Sequence, residues 1–166
     1  QVMIDDMLAR RFLEKRAPET SKFLFQKSIE RIRDAERPKL VLQIAADTAS
    51  DADLSCFTDT YARVKRLRDK CAHSVRVVAT STDEIELTRS ILMSGTMPTV
   101  EAARVTRTEL EDGVKCCAWI EAQVMYILAS SDLISRMYLG SQPITVAKPT
   151  RLVKEWDAVV LVPTAE

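Results

Sequence analysis

A long apolar repeat between Thr106 and Leu139 constrains the fold of this chain more than any other feature. Its apolar side chains recur at three- and four-residue steps, the spacing that places them on one side of an α-helix. They are Leu110, Val114, Cys117, Trp119, Ile120, Val124, Ile127 and Leu128. Thr106 and Glu109 precede the repeat in the order of a capping box, and Gly140 follows it as a stop signal. The pattern predicts one long helix that ends at Leu139.

Shorter segments show the same apolar spacing and predict further helices. They cover residues 2–16, 21–36, 38–45, 54–72 and 82–92. Pro38 suits the first turn of the third of these helices, and Ser81 with Glu84 forms a second capping-box pattern before the last. The chain has only 3 Gly and 6 Pro in 166 residues, so few residues interrupt long helices.

The composition and the helical pattern together predict an all-α protein, an antiparallel helix bundle with a short C-terminal extended arm or edge strand. Aromatic residues make up 5% of the chain, which disfavours an all-β sandwich. The bundle domain covers residues 1–140. Residues 141–166 form the appendage of the same domain, because Pro143, Pro149 and the valine-rich apolar run 159–162 change the character of the tail.

Charge is balanced over the chain but concentrated in one segment. Lys plus Arg equals Asp plus Glu at 24 each, so a general affinity for polyanions is not expected. The segment between Tyr61 and Arg76 contains one acid, Asp69, and six cations, which are Arg63, Lys65, Arg66, Arg68, Lys70 and Arg76. Two interpretations remain open, a solvated helix face and a local phosphate-binding surface.

The only histidine, His73, ends this basic helix. An imidazole titrates near neutral pH, which makes His73 the best proton-transfer group in the chain. Asp69 lies one helical turn before it and is expected to orient the ring, while Arg68 offers a guanidinium suited to phosphate. Arg68 and His73 lie about 140° apart around an ideal helix, so we expect a second subunit to bring its own copy of the motif.

The string from Leu67 to Ser74 resembles the HEPN superfamily of ribonucleases, especially the domains of abortive-infection and toxin-antitoxin systems. The family signature is an Arg, a polar residue and, after four to six intervening positions, a His near the end of a bundle helix. Arg66 also falls within this spacing, but Leu67 follows it, whereas the polar Asp69 follows Arg68. We therefore assign the family's arginine to Arg68.

The resemblance implies a cytoplasmic toxin or phage-defence effector, a homodimeric endoribonuclease that uses no metal and no cofactor. His73 would assist proton transfer as the ribose 2′-hydroxyl attacks phosphorus, Arg68 would stabilise the developing charge and Asp69 would orient His73. The RNA backbone would be guided by Lys65, Arg66 and Lys70. DNA lacks the attacking hydroxyl and would not be cut. An antitoxin partner would be a separate chain, because this chain has no Gly-Ser nucleotidyltransferase motif.

Two other functions remain open at the level of sequence. The first is a non-catalytic HEPN-like module whose basic helix binds a partner protein or a nucleotide. The second is a metalloenzyme that uses Cys56, Cys71, Cys116 and His73, which is disfavoured because Cys71 and His73 point to different sides of a helix.

The cysteines themselves show no metal-binding or disulfide spacing. No Cys-x-x-Cys pair occurs, so we interpret Cys71 and either Cys116 or Cys117 as buried thiols. The longest apolar runs are far shorter than the roughly 20 residues needed to span a bilayer, and no segment has the pattern of a signal peptide. These features favour a cytoplasmic protein with no membrane partner.

Overall fold

The computed structural model describes residues 3–5, 7, 28–29, 31–74, 76–91, 99–131, 137–150 and 161–163. Within these ranges the elements are α1 (Arg37–Asp47), α2 (Phe57–Ala72), β1 (Arg76–Ala79), β2 (Glu84–Ile91), β3 (Thr99–Thr106), α3 (Arg107–Ser130), β4 (Met137–Leu139), β5 (Gln142–Val146) and β6 (Leu161–Pro163). Residues 3–5, 7 and 28–29 are also helical. Two antiparallel sheets have the strand orders β1-β2-β3 and β4-β5-β6. The fold mixes helices with antiparallel sheet, and the prediction of an all-α bundle is wrong.

The largest correction concerns residues 84–91, which form β2 instead of a helix. Polar and apolar residues alternate from Glu84 to Thr88, the period-two pattern of a half-buried strand. The Ser81 hydroxyl accepts a hydrogen bond from the Asp83 backbone N–H at 3.2 Å, and the N–H groups of Thr80 and Ser81 both donate to the Glu84 carbonyl. Ser81 therefore closes the turn between β1 and β2, a local hydrogen-bonding pattern that competes with helix capping.

Strands β2 and β3 of the β1-β2-β3 sheet have one apolar and one polar face. Leu87 of β2 and Val105 of β3 are buried at 2% and 0% exposure. On the other face, Arg104 of β3 forms ion pairs with Glu84 at 3.6 Å and Glu86 at 3.9 Å. This alternation fixes the register of β2 against β3, because a slip by one residue would expose the apolar set, whereas every residue of β1 is exposed.

Helix α3 follows β3 directly and begins at the predicted capping box. The Thr106 hydroxyl accepts from the Glu109 backbone N–H at 3.1 Å, and the Glu109 carboxylate accepts from the Thr106 N–H at 2.9 Å. The predicted end at Leu139 is wrong, since α3 ends at Ser130. There, the hydroxyls of Ser130 and Ser131 donate to backbone carbonyls of the last turn and compete with helix continuation.

The core lies between α1, α2 and α3, together with the helical residues near the amino terminus. Its fully buried apolar members include Ile4, Met7, Val41, Ile44, Phe57, Trp119, Val124, Ile127 and Leu128. The rings of Phe57 and Trp119 meet at a centroid distance of 6.0 Å. Helix α1 begins with Pro38 in its first turn, as predicted. Residues 31–36 form turns, so the predicted helix over 21–36 is wrong at its end, and residues 8–27 lie outside the described part.

A close helix crossing brings α2 against α3. A Cβ atom added at Gly113 of α3 would lie 2.4 Å from Cδ2 of Leu67 on α2, far inside normal carbon contact. Gly113 itself is buried. The absence of a side chain at this position therefore allows the two helices to approach each other.

The tail forms more than a single strand. β5 pairs with β4 on one side and with β6 on the other, and it packs against α3 with Val146 buried at 2% exposure. Gly140 is part of the two-residue turn between β4 and β5, where its φ of +63° suits glycine. Gly140 thus serves a hairpin and not a helix end, and the arm or edge strand is corrected to a three-stranded sheet.

Candidate functional site

The basic segment is carried by α2, which runs from Phe57 to Ala72 close to its predicted bounds of 54–72. At 100° per residue, the cations of this helix separate onto two sides. Arg63, Arg66 and Lys70 share the side that meets α3, whereas Lys65 and Arg68 occupy another side together with Asp69. The single basic surface suggested by the sequence is therefore divided.

Arg68 is held by two carboxylates. Its Nη2 atom lies 2.8 Å from Asp34 Oδ2 and 2.8 Å from Asp69 Oδ1. Asp34 Oδ1 lies 3.4 Å from Nε of the buried Arg37, which also pairs with Asp5. An ion-pair network thus connects the helical residues near the amino terminus with α1 and α2. It turns the Arg68 guanidinium towards Asp34 and leaves 47% of the side chain exposed.

Asp69 is fully engaged by cations of its own helix. Lys65 Nζ donates to Oδ2 at 2.6 Å, and Arg68 donates to Oδ1 through Nη2 at 2.8 Å and Nε at 3.2 Å. These hydrogen bonds, that from Lys65 first, lower the pKa of Asp69 to about 2. The same contact with Asp69, followed by that with Asp34, raises the pKa of Arg68 above its usual range. Both groups are therefore charged at neutral pH.

His73 is the carboxyl-terminal cap of α2, with an exposed side chain. Its backbone N–H donates to the Asp69 carbonyl at 3.3 Å. Within the described residues, the Asp69 carboxylate makes no hydrogen bond to the imidazole, and its oxygens accept from Lys65 and Arg68 instead. The expected contact between Asp69 and the His73 ring is therefore absent from the described chain, whereas the expected meeting of Arg68 and His73 across two subunits stays a prediction.

A groove between α2 and α3 contains the remaining cations of α2. Its first cavity, of about 320 Å³, is lined by Arg63, Arg66, Leu67, Lys70 and Glu109. The adjoining cavity, of about 350 Å³, shares Arg63 and Arg66 and is otherwise lined by Asp59, Thr60, Asp112, Lys115 and Cys116. We call both cavities together the α2/α3 groove. Their sizes lie at the lower end of those typical of small-molecule sites.

Most carboxylates of the α2/α3 groove are already bound. Asp112 pairs with Arg63 at 2.8 Å, and this hydrogen bond raises the pKa of Arg63. Glu109 belongs to the capping box and lies 3.7 Å from Lys70, and its bond from the Thr106 backbone N–H is the main cause of its lowered pKa. Among the described residues, neither Arg66 nor Lys115 has a carboxylate within ion-pair distance. Two cations in the groove are thus available to an anion.

Helical phase brings His73 to the side of Arg66 and Lys70. Arg66, Lys70 and His73 follow at steps of four and three residues, whereas Arg68 lies about 140° from His73. The arginine that shares a side with the histidine is thus Arg66, the alternative within the family spacing. Sequence reasoning missed Lys115 and Asp34. Asp34 lies 34 residues from Arg68, too far for any local pattern to indicate the pair.

The cysteines are dispersed. Cys116 is buried as expected, and burial raises the pKa of its thiol. Cys71 and Cys117 are exposed, so the interpretation of Cys71 as a buried thiol is wrong. No three His, Cys, Asp or Glu side chains within the described ranges are arranged to hold a metal ion.

Comparisons with known proteins do not assign this chain to a family. None of the described helices is both long and apolar enough to cross a membrane. The chain matches no protein-family model, and neither a curated protein nor a solved structure is significantly similar to it.

Proposed function

We propose that this protein is an RNA-binding protein that cleaves RNA without a metal, with His73 as the proton-transfer group. Arg66 takes the role assigned above to Arg68, and Lys70 helps to hold the backbone. The observation that supports this proposal most is the shared side of Arg66, Lys70 and the exposed His73 on α2. Arg68 is bound by Asp34 and Asp69, so its use by a phosphate would require those pairs to be given up.

The reaction follows from the chemistry of an imidazole beside a ribose. The 2′-hydroxyl loses its proton to neutral His73 and attacks the adjacent phosphorus, and the bond from phosphorus to the 5′-oxygen breaks. The products are a 2′,3′-cyclic phosphate and a 5′-hydroxyl end. Arg66 would stabilise the charge on the phosphorane oxygens. DNA has no 2′-hydroxyl and is not a substrate.

A homodimer belongs to this proposal. The chain has one histidine, and the leaving 5′-oxygen needs a proton while the 2′-hydroxyl loses one. Two copies that meet at the end of α2 would supply one imidazole for each transfer. A role as a toxin or phage-defence effector, restrained by a separate antitoxin chain, is consistent with such an activity and is part of the proposal.

The test is cleavage of a mixed-sequence RNA by the purified protein in excess chelator, beside a DNA of the same sequence. We expect RNA cutting that leaves cyclic phosphate ends and falls about 10²–10⁴-fold in His73→Ala. Arg104→Gln, which removes an exposed arginine of β3, serves as the control and should cut like the parent. A folded parent that cuts no RNA, or an equally active His73→Ala variant, would refute the catalytic proposal.

A second candidate function is a non-catalytic module that binds an RNA or nucleotide phosphate. It is favoured by the lack of a hydrogen bond between the Asp69 carboxylate and the His73 ring among the described residues, where Asp69 accepts from Lys65 and Arg68. This function predicts RNA binding that depends on Arg66 and Lys70 without any cutting. The cleavage and binding measurements together separate the two candidates.

A further inference from the structure

The α2/α3 groove lies beside the residues of the proposed reaction and extends beyond them. Its two cavities share Arg63 and Arg66, so they form one continuous groove along α2 from Asp59 to Lys70. At 1.5 Å per residue this stretch measures about 16 Å. Such a length is greater than a single phosphate needs and suits a chain of phosphates.

The cations of the α2/α3 groove are arranged in a row with one more on the opposite wall. Arg63, Arg66 and Lys70 follow one another along α2, and Lys115 approaches from α3. Arginine presents a planar fork of donors that fits phosphate oxygens, and lysine adds a point charge. The row lies on the helix side that also leads to His73.

The carboxylates of the groove differ in what they contribute to its charge. Glu109 is fixed by the Thr106 cap, and Asp59 lies in the first turn of α2, where the helix dipole favours a negative charge. Asp112 alone binds a groove cation tightly, through Arg63 at 2.8 Å. Asp112 therefore limits the availability of Arg63, while Arg66 and Lys115 lack a carboxylate partner among the described residues.

We propose that the α2/α3 groove is a binding track for the phosphate backbone of single-stranded RNA, with Lys115 and Arg63 as contacts outside the reacting position. Arg66 lies where this track meets the proposed reaction site. The inference rests on the proposed function for its choice of RNA as the ligand, but it does not depend on cleavage. Removing Lys115 weakens binding, whereas removing the charge of Asp112 releases Arg63 and strengthens it.

The experiment measures binding of a fluorescent 2′-O-methyl RNA of mixed sequence by anisotropy from 50 to 300 mM salt. This probe has no free 2′-hydroxyl, so binding is read independently of cutting. Each phosphate contact to single-stranded nucleic acid contributes about 0.7 to the slope of log affinity against log salt. We expect Lys115→Gln to reduce the magnitude of the slope by about 0.7, and Asp112→Asn to increase it by a similar amount. If parent and variant bind equally at 1 M salt, a slope difference of about 0.7 corresponds to an affinity difference of about fivefold at 0.1 M salt.

Matched controls separate a track from overall charge. Arg104→Gln and Glu86→Gln make the same changes of charge on the polar face of the β1-β2-β3 sheet, where the two residues form an ion pair. If they shift affinity and slope as much as Lys115→Gln and Asp112→Asn do, net charge explains the result and the proposal fails. It also fails if polyglutamate competes as well as RNA of equal charge, since an acidic peptide would then be an equivalent ligand.

The outcomes also distinguish this inference from the proposed function. Loss of cleavage in His73→Ala with unchanged slopes in the groove variants would retain the nuclease and overturn the track. Expected slopes in a parent that cuts no RNA would retain the track and overturn the nuclease.

Discussion

Substitution of Gly113 by alanine tests whether the contact between α2 and α3 is as close as the structure indicates. The new methyl carbon would lie 2.4 Å from Leu67 Cδ2, whereas carbon atoms in contact prefer 3.5–4.0 Å. Leu67 or the helices must therefore move by more than 1 Å. Overpacking of this kind lowers the free energy of unfolding by about 1–3 kcal/mol, and the better helix propensity of alanine offsets about 1 kcal/mol of this loss. We expect Gly113→Ala to lower the free energy of unfolding by about 0–2 kcal/mol.

The sign of the effect should reverse when Leu67 is shortened. In a Leu67→Ala background the Cδ2 atom is absent, so only the propensity gain remains and Gly113→Ala should stabilise by about 1 kcal/mol. The coupling energy of this double-mutant cycle is then about 1–3 kcal/mol. Urea unfolding followed by circular dichroism at 222 nm measures all four proteins.

A calibration within α3 completes the test. Glu121 is exposed, and the difference between Glu121→Ala and Glu121→Gly measures the preference for alanine over glycine without a packing contact. If Gly113→Ala stabilises by that same amount whether or not Leu67 is shortened, the coupling is zero. The helices would then be farther apart than the structure indicates, and the reasoning about the crossing would be refuted.

Three further predictions concern charges and hydrogen bonds around the core and site. The pKa of Asp69 is lowered from 3.8 to about 2, so its ion pairs stabilise the fold above pH 4 and this stabilisation is lost as the pH falls to 2. In Asp69→Asn, the free energy of unfolding should therefore fall less between pH 4 and pH 2 than it does in the parent. Trp119→Phe removes both the 2.8 Å donor to the Thr150 carbonyl and part of a fully buried side chain, and should cost at least about 1–3 kcal/mol in urea unfolding. An unchanged free energy of unfolding would contradict this prediction. Arg68→Ala should lower the free energy of unfolding by about 1 kcal/mol and retain RNA cleavage. Arg66→Ala should reduce the cleavage rate about 10²–10³-fold at an unchanged free energy of unfolding. The opposite pattern would assign the catalytic role to Arg68.

The helices that the sequence predicted well have either a local start signal or a repeated apolar side. Helix α2 and the start of α1 at Pro38 were predictable, as was the Thr106 capping box of α3. The same kind of signal failed at Ser81, because a serine hydroxyl that accepts an N–H two residues later closes a turn as readily as it caps a helix. The alternation from Glu84 to Thr88 was the better indicator there, since the side-chain period and not the cap decides between helix and strand.

The candidate site shows a similar limit. Helical phase alone separates Arg66 from Arg68, so the two sides of α2 were within reach of sequence reasoning. The partners of these residues were not. Asp34, in the turns before α1, and Lys115 of α3 approach α2 from distant parts of the chain. Only the tertiary structure reveals that Asp34 binds Arg68 and that Lys115 faces the groove. Tertiary contacts thus decide which cation is available, although local sequence decides where each cation lies.

The choice between the two arginines finally depends on the free energy needed to release a guanidinium. Arg68 must give up pairs with Asp34 and Asp69, each worth about 0–1 kcal/mol at such exposure, so its phosphate affinity is lowered by up to about thirtyfold. Arg66 has no ion pair to give up among the described residues, so its binding to phosphate carries no such cost. Asp34→Asn removes one ion pair of Arg68 and so lowers the free energy needed to release its guanidinium, while Arg66 is unchanged. Assayed at a temperature where the variant is fully folded, Asp34→Asn should leave RNA cleavage unchanged if Arg66 acts, and a several-fold gain would show that Arg68 does.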